Sequence, residues 1–353
     1  MKHFGDVTKI NGASVPLVDV ITGGSPCQDL SVAGKRAGLA GERSGLFMEQ
    51  IRIIKEMRNE SIKRLSMRGS IINIRYIQPR YLVWENVCGA LDSNGGEDFR
   101  TVLEEIVKII DTNAVVPRFT QRWSPAGCIV ANRGGVAWRV HNAEFWGTPQ
   151  RRKRIALIAD FGGQSASEIL FERKCVHGDN QAGKEKKTKT AVDHGAIAYS
   201  SPNFGGWVRS DVSQTLRASG GDYGGGSETI IMQNGRLRRK TPLECERLQG
   251  FPDGWTDIGD WIDSHGKKHN GDSDAPRYRA LGNSISIPFW EWLMARIGET
   301  LYRDGTTEPT MASLFDGIGG FPLCSIRAGI KPIWASEIEE FPMAVTKYRF
   351  GTE

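Results

Sequence analysis

Short strand-like apolar runs stand out from the polar positions around them at Leu17–Thr22 (LVDVIT), Tyr81–Trp84 (YLVW), Val136–His141 (VAWRVH) and Ile155–Ala159 (IALIA), with helical patterns between the first pairs. Two further runs stand far along the chain, at Ala312–Phe315 (ASLF) and Pro332–Ala335 (PIWA). Short apolar strands separated by helices predict an α/β fold whose parallel sheet is covered on both faces. From Gly162 to about Asp274 the texture changes to Gly, Ser, Asp and Lys, as in GDNQAGKEKKTKT and SGGDYGGGSE. The pattern therefore divides the chain into residues 1–161 of a large domain, a small loop-rich domain over 162–274, and a return to the large domain over 275–353. An apolar helix predicted over Ser284–Leu301 opens that return.

Composition adds little to this picture, and the placing of charge adds more. With 353 residues and 39% hydrophobic content, the chain can bury a substantial core. Its formal charge is +5, but between Arg118 and Arg154 eight Lys or Arg face a single acid, Glu144. Such a local excess suits a polyanion. The six cysteines have neither CxxC nor metal-ligand spacing, so they read as reduced thiols with no metal site. No signal peptide and no membrane-spanning run is evident, which predicts a cytoplasmic protein.

Four stretches carry candidate chemistry. In DVITGGSPCQDLSVAGKRAGLAGERSGLF, Asp19 to Phe47, a buried strand ends in Gly23-Gly24 and turns at Pro26, placing Cys27 where open α/β sheets bind ligands. A lone cysteine is usually a small buried hydrophobe; this one precedes a segment punctuated by Gly34, Gly38, Gly41 and Gly45. In YLVWENV another strand runs into Glu85, on the same sheet edge as Cys27. In TPQRRKRIALIAD, Arg152 and Arg154 lead into a strand with same-face spacing. In LFDGIGGFP, Gly317, Gly319 and Gly320 permit close backbone approach ahead of a helix. Pro322 stands where GxGxxG has its third glycine, which disfavours a dinucleotide pyrophosphate. Glu337, at the end of the next strand, is placed to accept from ribose hydroxyls.

Together the blocks FDGIGG, GDVT, GGSPCQ, WENV, QRRKR, TPLECERLQGFPD and YRALGNSISIP resemble the DNA (cytosine-5) methyltransferase family. The resemblance implies a Rossmann-like methyltransferase fold with a mostly parallel sheet, using S-adenosylmethionine, with the small loop-rich insert as target-recognition domain. It also implies a covalent mechanism. Cys27 would attack C6 of a flipped-out cytosine, Glu85 would hold a proton against N3, Arg154 would contact O2, and Arg152 would support the site or a phosphate. For the cofactor it implies Phe315, Gly317, Ile318, Gly319, Gly320, Pro26 and Leu46 as contacts, with Glu337 on the ribose. Ile338 would pack on adenine, Asp6 would accept from its amino group and Asn283 would complete the wall. The family often has an aromatic residue where Ile338 stands. Gln28, Ser31 and Arg43 would lie on the segment closing over double-stranded DNA, and Thr215-Leu216 resembles a dipeptide of recognition domains. The family usually begins with the FDGIGG block, which here follows the others. The chain is therefore expected to be circularly permuted, with ETLYRDGTTEPT, between Gly298 and Met311, as linker.

Other readings are an RNA cytosine methyltransferase, a DNA-binding protein that has lost catalysis, an amino-methylating enzyme and a nicotinamide-dependent reductase. The long variable insert favours DNA over RNA, and intact Cys27, Glu85 and Arg154 favour catalysis. Ser25-Pro26-Cys27 disfavours amino methylation, and the glycine spacing disfavours nicotinamide. The resulting expectation is a monomeric bacterial or phage modification enzyme, with a restriction endonuclease as genetic partner.

Overall fold

The computed structural model describes residues 1–25, 45–67, 69, 72–117, 122–171, 197–200, 208–210, 212–218 and 229–351. In the first part of the chain lie β1 (Lys2–His3), β2 (Val20–Gly23), α1 (Gly45–Met67), β3 (Tyr81–Val87), α2 (Glu97–Val107), β4 (Ala126–Ala131), β5 (Gly134–Asn142), β6 (Lys153–Asp160) and α3 (Ala166–Leu170). The middle part holds β7 (Ile197–Ser200), β8 (Val208–Arg209), β9 (Thr229–Gln233), β10 (Arg236–Arg238), α4 (Pro242–Gln249) and a ribbon of β11 (Trp261–Ile262) and β12 (Lys268–His269). Then come α5 (Ala275–Asn283), α6 (Ile287–Arg303), β13 (Thr310–Leu314), α7 (Gly320–Arg327), β14 (Lys331–Ser336) and α8 (Glu340–Phe350).

Eight strands form one sheet in the order β1-β14-β13-β2-β3-β6-β5-β4. The first five run parallel, while β6, β5 and β4 alternate antiparallel, so the sheet is mixed and mostly parallel, as expected. Only Asn132 and Arg133 separate β4 from β5, which allows a hairpin but no crossover. Both faces are covered. Ile21, Leu82, Trp84 and Leu157 pack under α1 and α2 with Phe47, Ile51 and Phe99. Val20, Tyr81, Val83 and Ile158 pack on the other face with Trp290, Leu293 and Ile297 of α6. Neighbouring residues of one strand thus enter opposite cores, which is why β2 and β3 read as continuous apolar runs.

At the edge where β3 begins, Arg80 is buried between two acids. It bonds Asp160 through Nε at 3.1 Å and Nη2 at 3.3 Å, and Nη1 reaches Asp304 at 2.7 Å. Gly162 N, Ser165 N and Ser165 Oγ also donate to Asp160.

The polar middle of the chain is more integrated than the expected boundaries at 162 and 274 imply. Ile169 and Leu170 of α3, and Cys245 of α4 followed by Phe251 and Trp255, enter the same core as α6. The separate four-stranded sheet, in the order β10-β9-β7-β8, comes from residues 197–238. The expected linker is also shorter, because α6 runs to Arg303 and leaves 304–309 to reach β13. β1 lies parallel beside β14, and the Met1 ammonium donates to the Gly351 carbonyl at 3.4 Å.

Candidate active site

The carboxyl ends of β2 and β3 meet at one edge, where Gly23 registers with Trp84. Trp84 Nε1 donates to buried Ser25 Oγ at 3.1 Å, which pins the chain as it leaves β2. Both glycines there face side-chain ends at close range. A Cβ on Gly23 would lie 2.5 Å from Gln50 Nε2, and one on Gly24 would lie 3.1 Å from Glu85 Oε2. The Glu85 carboxylate therefore sits against the segment that leads to Cys27. Cys27 itself, with Pro26, Gln28, Ser31 and Arg43, lies outside the described residues.

Glu85 Oε1 accepts from Arg154 Nε at 2.9 Å, with both side chains largely shielded from solvent. The pair spans the seam between the two halves of the sheet, Glu85 registering with Ala156 and Arg154 with Val87. Arg154 Nη1 also donates to the Lys153 carbonyl at 2.8 Å. Cys88 follows β3 directly; burial pushes its thiol up, against the pull of Arg154, and so disfavours the thiolate. The buried thiol of Cys245 is pushed up to about 12, and burial likewise raises Cys324. His141, beside Arg154 in register, stacks on Phe289 at 3.7 Å; burial lowers its pKa to about 3, helped by Arg154, so it stays neutral.

Arg152 stands differently from its expected catalytic role. It is 2% exposed, and its guanidinium donates to the carbonyls of Leu216 (3.2 Å), Gly282 (3.2 Å) and Ser284 (2.5 Å). Three carbonyls aimed at one buried cation make it a clamp on the backbone, joining the start of β6 to the end of α5 and to the Thr215-Leu216 segment. Thr215 Oγ1 bonds the Arg151 carbonyl at 2.5 Å, and Ser213 pairs with Pro149 and Arg151 through the backbone. A Cβ on Gly282 would collide with the Arg217 backbone, so α5 and this segment touch directly. Sequence reading missed the clamp because its acceptors are main-chain oxygens.

The glycine-rich turn after β13 divides its glycines between two duties. Phe315 takes φ 55° and Gly317 φ 57°, both left-handed, and the space beside Gly317 is open. Gly319 and Gly320 are instead closed in by Phe350 and Ile285, so their missing side chains admit protein and not a ligand. Ile318 is buried. Glu337, at the end of β14, accepts from Gly317 N (2.7 Å), Ile338 N (2.7 Å) and Glu339 N (2.9 Å). Burial raises its pKa, opposed by those three bonds. A carboxylate has about four acceptor sites, so three donors leave one for a ligand. Asp316, which sequence reading passed over within FDGIGG, is buried with its pKa raised to about 8, first by burial.

The remaining expected contacts are spread over several elements. Asp6 accepts from Thr8 N and Oγ1, bonds that lower its pKa, and Gly5 O is bonded by Ser336 Oγ next to Glu337. Ile338 is 67% exposed. Leu46 packs partly buried on the first turn of α1, and Asn283 is exposed at the end of α5.

A family model described as "C-5 cytosine-specific DNA methylase" matches residues 1–110, from β1 through α2 and including Glu85. Over these residues the chain is similar to the cytosine-C5 DNA methylase family. Proteins similar to this chain include a "DNA N-6-adenine-methyltransferase" of Escherichia phage P1, 25% identical over 85% of this chain and 56% of that protein. The type II methyltransferase M1.ScrFI of Lactococcus lactis is 26% identical over 85% of this chain and 67% of its own length. M.BsuFI of Bacillus subtilis is 29% identical over 85% and 62%. The chain thus spans between about half and two thirds of the length of these relatives.

Proposed function

We propose that the chain transfers a methyl group to C5 of a cytosine in duplex DNA, with S-adenosylmethionine as donor. The observation that carries this reading is the Glu85–Arg154 pair, held at 2.9 Å against Gly24, three residues before Cys27. C5 of cytosine is a weak nucleophile until a thiolate adds at C6. In this reading the Cys27 sulfur forms that bond, and Glu85 holds a proton against N3 to offset the charge that builds on the ring. Arg154 orients Glu85 and contacts O2. Loss of the C5 proton then restores the ring and releases the sulfur.

The open face of Gly317 and the remaining acceptor site of Glu337 fit the cofactor. Glu337 would hold the ribose, exposed Ile338 would cover the adenine, and Asp6, Asn283, Leu46, Phe315 and Pro26 would line the rest. When bound, the cofactor supplies an electrophilic methyl group. Replacing Glu85 by Gln keeps its shape and removes its charge. Methyl incorporation into DNA is expected to fall about 10²–10³-fold with cofactor affinity unchanged; a rate within twofold of the parent would remove Glu85 from the reaction.

The name of the phage P1 relative favours a second reading, methylation of adenine N6. Nucleoside analysis of the product DNA decides between them, with 5-methylcytosine expected. The names of the bacterial relatives support a modification role in bacteria or phage.

We also infer that the block order is rotated relative to the family. In support, β13, α7, β14 and α8 are followed in space by β1, and Met1 lies against Gly351. A variant with residues 353 and 1 joined and the chain opened within 304–309 is expected to fold and methylate DNA like the parent. Failure of that variant to fold would count against the rotation.

A further inference from the structure

At the edge that carries Glu85 and Arg154, β5 ends at Asn142, in register with Lys153, one pair beyond His141 and Arg154. Three residues further on stands Phe145, 73% exposed. The turn that carries it is fixed from several sides. Ala143 N donates to the Arg152 carbonyl at 3.0 Å, Thr148 Oγ1 to the Ala143 carbonyl at 3.1 Å, and Asn142 Nδ2 to Glu144 Oε2 at 3.1 Å. The next ring, Trp146, packs inward edge-on to Phe289 at 4.8 Å and against Trp292 at 5.0 Å. Trp146 fills the space under the turn, and Gly147 at φ 94° reverses the chain, so Phe145 is held outward. Exposed Arg151 and Lys153 flank it, Arg151 lying 3.8 Å from Glu144.

An exposed phenyl ring on a hydrogen-bonded turn, with exposed Arg151 and Lys153 close along the chain, at the edge where a base would enter, matches the two demands of an opened duplex. The phosphates need positive charge. The bases beside the vacated position lose a stacking partner, and an aromatic ring can replace it.

We propose that Phe145 stacks on a base face uncovered when the target nucleotide leaves the duplex, and so helps hold the duplex open. This rests on the DNA methylation reading above. The same backbone that anchors Arg152 anchors the Phe145 turn, through the Ala143–Arg152 bond, so the ring and Arg154 keep a fixed relation.

The test uses the full chain with S-adenosylhomocysteine and a duplex bearing the site mapped by 5-methylcytosine sequencing, with 2-aminopurine beside the target. Anisotropy across a salt series gives Kd and its salt slope. Phe145→Ala is expected to raise Kd roughly 10-fold or more, leave the salt slope unchanged and alter the 2-aminopurine signal, whereas Phe145→Trp restores all three. Arg151→Ala should instead lower the salt slope by about 1. Thermal unfolding of Phe145→Ala should match the parent, because the ring is exposed. A Kd within twofold of the parent for Phe145→Ala, or no recovery with Phe145→Trp, overturns the proposal. A parent protein that neither binds nor methylates DNA removes the underlying reading, and this inference with it.

Discussion

If the proposed covalent route operates, replacing Cys27 by Ala is expected to abolish 5-methylcytosine formation, with a loss on the order of 10⁴-fold or more, because the variant lacks the sulfur that adds at C6. Cys88, which follows β3, is disfavoured as a substitute, since burial raises its pKa. Cofactor affinity, measured by calorimetry, should stay near the parent value, because the glycine turn and Glu337 belong to different strands from the one preceding Cys27. A trap experiment sharpens the point. A duplex with 5-fluorocytosine at the target should form a denaturation-resistant adduct with the parent and none with Cys27→Ala. Retained methylation in the variant would move the chemistry to another nucleophile.

The largest effect on stability is expected at Asp160. Asp160→Ala leaves Arg80 buried with Asp304 as its remaining acid and removes the acceptor of Gly162 and Ser165. Breaking a buried pair from one side costs about 3–5 kcal/mol, readable as a lowered denaturant midpoint. The pH dependence follows from the same geometry. Burial alone would raise the Asp160 pKa, but the hydrogen bond and charge of Arg80, with Ser165 and Gly162, bring it below its ordinary value. A carboxylate whose folded pKa is depressed contributes stability above its unfolded pKa, near 3.9, and that contribution is lost as pH falls through the folded value. The parent should therefore lose more stability than Asp160→Ala on acidification below about pH 4. Equal acid sensitivity would show that the pair contributes nothing.

The strands that sequence reading found are those buried on both faces. β2 begins later than the apolar run suggests, because Asp19 is drawn out of the strand to bind Gln78 Nε2 and the Thr310 backbone and hydroxyl. β4 was missed because every second residue of AGCIVA is exposed at the sheet's edge, and β1 because two residues carry no period. The reversal of direction after β3 was illegible for another reason: periodicity reports which faces are buried and is silent on which way a neighbour runs. Glu85 was legible as a carboxylate at the sheet edge, while its meeting with Arg154 was implied only by the resemblance. The true employment of Arg152 was not, since its acceptors lie 64, 130 and 132 residues away and are main-chain atoms any residue could supply. Gly319 and Gly320 teach the same lesson, because a glycine required by Phe350 or Ile285 looks in sequence like one required by a ligand.

The place of β13 inside the sheet has a consequence in time. Its neighbour β2 is completed early in synthesis, yet Asp19 and Thr310, which join the two strands, are 291 residues apart. Until β13 emerges from the ribosome, the flank of β2 that it will cover has unpaired peptide groups, an invitation to foreign strands. β1 waits in the same way for β14. The nascent chain can assemble β2, β3, β6, β5 and β4 as a half-sheet but cannot close it, so the Gly317 turn is installed only after the edge that bears Glu85. Folding from denaturant should show this order as a slow final phase in which Trp334, buried on β14, changes its fluorescence after Trp84.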